Sequence, residues 1–288
     1  MLGMKKVRSH QLESLIFREL PFRDSLINPL YITIHYSATS TLKKAWQALK
    51  DRGLSYHLLV DQNGELLQCV PLNKRAAHAG YSNWKGLNNL NDFSIGICAV
   101  NLGYLQRFSN GLYGEVNAHN DPTKPFYEAD ELYIGRHPYE GRTRGWLPYP
   151  EAQIQAIRSV CESLIAEYPT IRDIVGHDEI AISRKVDPGP AFPLGALYDL
   201  VPDRESDRGQ LHRVSVRGGH LNIRRSPNSR SKILGTFPHG QEVRVRSYSY
   251  RYRKGQRRPV KTLWAFITTR VDGLHEGFVY SRFLKKIS

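Results

Sequence analysis

The chain has 288 residues, of which 40% are hydrophobic and 24% charged, a composition that excludes a mostly disordered polypeptide and leaves room for two compact domains. No apolar run approaches the roughly 18 residues of a membrane-spanning helix, and the first residues lack the uninterrupted apolar core of a secretory signal. The net charge of +14 falls wholly within residues 203–288, because residues 1–202 carry equal numbers of basic and acidic side chains. Neither Sec export nor a membrane anchor is therefore expected, and an anionic partner is expected for the C-terminal part.

Residues 1–28 form an N-terminal extension to which the sequence assigns no role. Tyr31–Ser37 alternates β-branched residues and reads as a strand, after which Thr39 or Ser40 can cap a helix carrying Leu42, Ala45, Trp46 and Leu49 on one face, ended by Gly53. Leu54–Val60 and Glu65–Val70 flank the turn-forming run Asp61-Gln62-Asn63-Gly64, which predicts a β-hairpin. Phe93–Val100 is a further strand. The stretch Asn101–Pro150, rich in Gly, Pro and Tyr, reads as a long loop whose aromatic residues suit a glycan or peptide cleft, with ordinary packing as the plainer alternative for each. A helix follows from Glu151, presenting Ile154, Ile157, Cys161, Leu164 and Ile165 on one side, and Ile171–Asp178 is a short strand running into an irregular loop. Strands mixed with helices over residues 29–202 imply an α/β domain with a mixed central sheet flanked by helices. The join is expected in Val201–Gly209, with residues 203–210 as linker, and the short β runs and turns of residues 211–288 predict a small all-β barrel.

Cys69, Cys98 and Cys161 form an odd, widely spaced set, so a metal, if bound, must be held by His and carboxylate groups. His35 and His177 end predicted strands, and Asp187 follows in Gly176–Pro190. Two imidazoles and one carboxylate make a catalytic zinc set, because three protein ligands leave a fourth tetrahedral position open. Any one of these histidines alone is more often structural. His57, beside Tyr56 on a strand, faces the opposite side and reads as a buried, hydrogen-bonded histidine, and Cys98, between Ile97 and Ala99, reads as core rather than nucleophile or ligand.

The segments His35–Thr39, Ser55–Leu66, His78–Ile97 and Gly176–Phe192 together resemble the zinc-dependent N-acetylmuramoyl-L-alanine amidases of the type-2 amidase and peptidoglycan-recognition-protein superfamily, in the family's order across residues 30–200. The resemblance implies that family's fold, one zinc ion held by His35, His177 and Asp187, and hydrolysis of the amide between the muramic acid lactyl group and L-Ala. It also places His78 along the cleft and makes Trp84 and Asn91 candidate substrate contacts. One position departs from the pattern: the strand Ser94–Asn101 has Cys98 where many relatives carry a general-base Glu. Phage amidases of the lysozyme-like branch share that absence, and likeness to them points to Tyr56 and Lys185 as the catalytic pair, the alternatives being a Tyr packed in the sheet and a solvated Lys. Residues 211–288 resemble bacterial Src-homology-3-type wall-binding domains. Arg244, Arg246, Arg251, Arg253, Lys254, Arg257, Arg258 and Lys261 alternate there with Tyr248, Tyr250 and Tyr252, a pattern suited to peptidoglycan peptides or anionic wall polymers and, less in keeping with the neighbouring domain, to nucleic acid. The competing readings are a recognition protein that binds muropeptides without cutting them, and a nucleic-acid binder acting through the barrel. Synthesis in the cytoplasm is expected, with action at the wall after lysis or specialised export.

Overall fold

The computed structural model describes residues 6–116, 122–201, 210–251, 258–268 and 276–287. Tyr252, Arg253, Lys254 and Arg257 of the expected basic cluster lie outside the described residues, as does nearly all of the expected join. None of the described helices is long and apolar enough to cross a membrane.

The centre of the molecule is a six-stranded sheet built from β1 (Ile16–Phe17), β2 (Tyr31–Tyr36), β3 (Leu58–Val60), β4 (Leu66–Gln68), β5 (Ser94–Ala99) and β6 (Asp173–Gly176). Its spatial order is β6-β2-β5-β3-β4-β1. Strands β2, β5, β3 and β6 run parallel and only the β3–β4 hairpin is antiparallel, so the sheet is mixed, as the sequence implies. The N-terminal extension is part of this sheet: β1 pairs with β4 at its edge, and Leu12 and Leu20 are buried.

Alternation of side chains across the strands sorts two faces. Ile32, Ile34, Ile95, Ile97 and Ile174 face α2 (Glu151–Glu167), which buries Ile157, Val160, Cys161 and Leu164 against them. Gln153 of the same helix reaches the strand ends, donating through Nε2 to the carbonyls of Val60 and Val100 at 2.9 and 3.1 Å. On the other face, α1 (Leu42–Asp51) packs Ala45, Trp46 and Leu49 over Leu59, Leu67 and Cys98. Its cap is Thr41 rather than Thr39 or Ser40: the Thr41 hydroxyl accepts from the Lys44 N–H at 3.2 Å, while the Ser37 and Thr39 hydroxyls bond each other. Burying Trp46 and Leu49 contributes about 1.5–3 kcal/mol each, which holds α1 at the rim of the face that carries His35.

The described residues of 101–150 are not a loop. They form a five-stranded antiparallel sheet, ordered Pro122–Tyr127, Tyr113–Val116, Tyr104–Arg107, Thr143–Trp146 and Tyr133–Arg136, around a core of Leu102, Leu105, Tyr113 and Leu132. Its strands are short and mostly exposed, so no period-two pattern marks them in the sequence.

The C-terminal part is all-β: one seven-stranded antiparallel sheet from Gln210 to Lys286, with its own core of Val214, Leu221, Ile223, Val243, Val245, Ile267 and Val279. It docks directly on the α/β part. Lys85 N–H donates to the Arg246 carbonyl at 2.6 Å, Ser247 Oγ to the Asn83 carbonyl at 2.9 Å, and Tyr250 N–H to the Ile182 carbonyl at 2.9 Å. Ile182, Phe266 and Phe278 close an apolar seam there, with Tyr139 of the inserted sheet edge-on to Phe266.

Candidate metal centre

Parallel strands bring their carboxyl ends to one edge, and that edge of an α/β sheet is where ligand sites form. His35 lies near the end of β2, beside Cys98 of β5 in register, and His177 follows β6 directly. Asp187 returns on the following loop, which is pinned by the Asp178 N–H donating to the Asp187 carbonyl at 2.7 Å. Residues 142 and 152 positions apart in sequence thus meet: His35 Nδ1 is 3.0 Å from His177 Nδ1 and 3.0 Å from Asp187 Oδ2, and His177 Nδ1 is 2.9 Å from the same oxygen. All three side chains are buried.

The backbone carbonyls around the cluster assign its tautomers. His78 Nε2 lies 3.2 Å from the Ser94 carbonyl, which can only accept, so that nitrogen carries the hydrogen. His78 Nδ1 therefore accepts from His35 Nε2 at 3.0 Å, and His35 Nδ1 is left as a bare lone pair. His177 Nε2 lies 3.0 Å from the Ala79 carbonyl, an oxygen that also accepts from Arg184 Nη2 at 2.5 Å, and 3.2 Å from that same Arg184 nitrogen; with the hydrogen on Nε2 toward Ala79, Nδ1 is bare. Burial keeps the rings neutral: it pushes His35 down to about 3, with His177 beside it adding to the effect, and it drives His78 well below and His177 below the ordinary range.

In these tautomers two nitrogen lone pairs and a carboxylate oxygen face one another, an arrangement that repels unless a cation lies at its centre. Tetrahedral zinc with bonds of about 2.0–2.1 Å spaces its donors about 3.3 Å apart, close to the separations here. The donor set fits a divalent ion of that kind, and the outer contacts to Ala79 O and His78 orient both rings as metal-bound histidines require.

Beside Asp187 opens a cleft of about 480 Å³ walled by Tyr36, Tyr56, Tyr104, Arg184 and Lys185, with Glu115 of the inserted sheet at its side. The Tyr56 ring is 4.7 Å from the His35 ring, and burial pushes its phenol well up, so it stays protonated. Tyr56 and Lys185 therefore share the cleft wall with Asp187.

Three residues are placed differently from expectation. His78 does not reach the cleft; both its nitrogens are engaged, with His35 and Ser94. It packs so tightly on β5 that a Cβ at Gly96 would lie 2.6 Å from its ring. Trp84 is 1% exposed and its Nε1 donates to Asp173 Oδ2, which makes it core. Asn91 Oδ1 accepts from the N–H groups of His78 and Ala79 at 3.0 and 2.7 Å, so it shapes the loop instead of contacting a ligand. His57 is buried as read, accepting from Gly96 N–H and bonding the Lys74 carbonyl. Cys98 sits among Leu59, Leu67 and Val100 with its thiol pushed well up by burial. Sequence reasoning does not reach Arg184, whose Nε also donates to the Tyr81 carbonyl, or His137, which bonds Asp178 Oδ2 at 3.0 Å and ties the inserted sheet to the residue next to His177. Adjacency to Lys185 is the one signal for Arg184; His137 has none, because its partner lies 41 residues away.

Residues 26–190 match the protein family described as N-acetylmuramoyl-L-alanine amidase. The chain is 38% identical over 149 residues to the 1,6-anhydro-N-acetylmuramyl-L-alanine amidase AmpD of Salmonella typhimurium (strain SL1344), covering 51% of this chain and 57% of that protein. It is 32% identical over 170 residues to the N-acetylmuramoyl-L-alanine amidase AmiD of Escherichia coli (strain K12), covering 56% and 49%. Among solved structures, the complex of E. coli AmiD with anhydro-N-acetylmuramic acid-L-Ala-D-gamma-Glu-L-Lys aligns over 62% of this chain and 59% of that one at 30% identity, with a TM-score of 0.45. The chain thus spans about half the length of the curated relatives it matches. With more than half of its residues inside the family match, the chain belongs to the N-acetylmuramoyl-L-alanine amidase family.

Proposed function

We propose that the protein is a zinc amidase that hydrolyses the amide between the lactyl group of N-acetylmuramic acid and L-Ala of the stem peptide. The observation that carries this reading is the convergence of one donor atom each from His35, His177 and Asp187, with Asp187 lining an open cleft. When bound there, zinc supplies Lewis acidity toward the amide carbonyl and lowers the pKa of a water to about 7.

The chain's own groups do the rest. Tyr56, a protonated phenol, donates a hydrogen bond to the carbonyl oxygen as negative charge develops on it. Of the cations Arg52, Arg184 and Lys185 that line the cleft, only the lysine can give up a proton, so Lys185 protonates the departing L-Ala amine. The buried Cys98 thiol takes no part. The C-terminal unit, which we take to be a bacterial SH3-like wall-binding barrel on its strand pattern and charge, binds peptidoglycan or its anionic polymers. The decisive experiment is incubation of the zinc-loaded full chain with muramyl dipeptide, read by mass spectrometry: release of free L-Ala-D-isoGln is expected, and its absence at any zinc occupancy would end the amidase reading.

A further inference from the structure

A second cavity, of about 560 Å³, lies where the C-terminal sheet meets the loop after His177. Ser183 forms one side, and Tyr250, Arg251, Lys261, Trp264 and Tyr280 form the other. Trp264 and Tyr280 are half-buried and stand edge to face with ring centroids 5.6 Å apart. The Lys261 ammonium lies 3.4 Å over the centre of the Tyr248 ring, which fixes a cation at the rim. Among the described residues lining the cavity there are two cations and no acid. The floor is anchored, because the Tyr250 N–H donates to the Ile182 carbonyl one residue before Ser183. Ser183 lines this cavity and Arg184, Lys185 and Asp187, next along the same loop, line the metal cleft, so the loop runs from one cavity to the other.

We propose that this junction cavity is a second binding site, for a short peptide ending in a free carboxylate, of the kind carried by the polymer on which the metal cleft acts. The aromatic faces of Trp264 and Tyr280 pack the peptide, and Arg251 and Lys261 take the carboxylate. The choice of peptide rests on the muramyl-amide reading of the neighbouring cleft. A phosphate polymer or nucleic acid is held by a file of cations along a groove, whereas among the described residues two cations stand over a half-open cavity walled by Tyr250, Trp264 and Tyr280, which suits one carboxylate.

The probe is diacetyl-L-lysyl-D-alanyl-D-alanine, which contains no muramyl amide and so cannot be turned over. Its affinity is measured by calorimetry for the zinc-loaded parent protein, Trp264→Ala and Lys261→Gln, and for Asp187→Ala as the zinc-free full chain. Kd is expected to rise at least about tenfold in Trp264→Ala and Lys261→Gln, with zinc content and melting temperature unchanged in the surface variant Lys261→Gln, and to stay unchanged in Asp187→Ala. An unchanged Kd in Lys261→Gln, loss of binding in Asp187→Ala, or tighter binding of inorganic polyphosphate than of the peptide would each overturn the assignment. A parent protein that binds the peptide but leaves muramyl dipeptide intact would retain this site and remove only the amidase reading.

Discussion

The Nε2 atom of His35 lies 3.0 Å from Nδ1 of His78, and that contact sets His78 against a proposed metal ligand and away from the cleft. Partners of this kind typically change metal affinity by 10- to 100-fold when removed. His78→Ala should therefore weaken zinc binding by about that factor, while Asp187→Ala, which deletes a donor, should lose zinc and activity together. Competition against a chromophoric chelator measures both. Full zinc affinity with a depressed kcat in His78→Ala would return that residue to the cleft.

Tyr56 offers a cleaner separation of binding from chemistry. Its ring flanks His35 without supplying a donor atom to the cluster, so Tyr56→Phe should keep zinc affinity. Removing one hydrogen bond made only to a developing oxyanion costs on the order of 10²-fold in kcat. Steady-state kinetics on muramyl dipeptide decide the matter: a raised KM at unchanged kcat would show that the phenol holds substrate in its ground state instead.

The central sheet was legible because its strands are buried on both faces and read as short apolar runs, and because α1 and α2 carry apolar residues at helical spacing. His35 and His177 could be placed at strand ends from the same runs. The inserted sheet was not legible, since an exposed antiparallel sheet with a four-residue apolar core leaves little periodicity to find. Trp84 and Asn91 went astray for a different reason. Proximity to a cleft in sequence order says nothing of which way a side chain points, and both side chains are committed to neighbours, Asp173 for one and two backbone amides for the other.

Trp84 tests that correction directly. A fully buried indole whose Nε1 donates to Asp173 Oδ2 at 3.2 Å should cost about 3–5 kcal/mol when cut to alanine. Denaturant unfolding of Trp84→Ala should show this loss, while KM for muramyl dipeptide measured on the folded fraction stays at the parent value. A large rise in KM at parental stability would reinstate Trp84 as a substrate contact.

Acid sensitivity follows from the buried histidines, and His57 isolates it from the metal. Burial pushes His57 down to about 4, opposed by its contact with the Lys74 carbonyl, whereas in the unfolded chain its pKa is about 6.5. Above pH 6.5 the ring is neutral in both states and contributes no pH dependence. Between about pH 6.5 and 4 the unfolded chain takes up a proton that the folded chain refuses, so stability falls as pH falls, by up to about 1.4 kcal/mol per pH unit for this one residue. His35, pushed down to about 3, adds a similar slope over the same window in the metal-free protein. His57→Gln should lower stability at pH 7, because the Gly96 N–H and Lys74 carbonyl lose well-placed partners, yet flatten the dependence below pH 6 by roughly the slope of one histidine. Urea unfolding of the chelator-treated parent and variant at pH 7, 6, 5.5 and 5 measures both quantities. Parallel curves for the two proteins across that range would mean that His57 does not titrate differently on folding, and that its burial as a neutral ring is wrong.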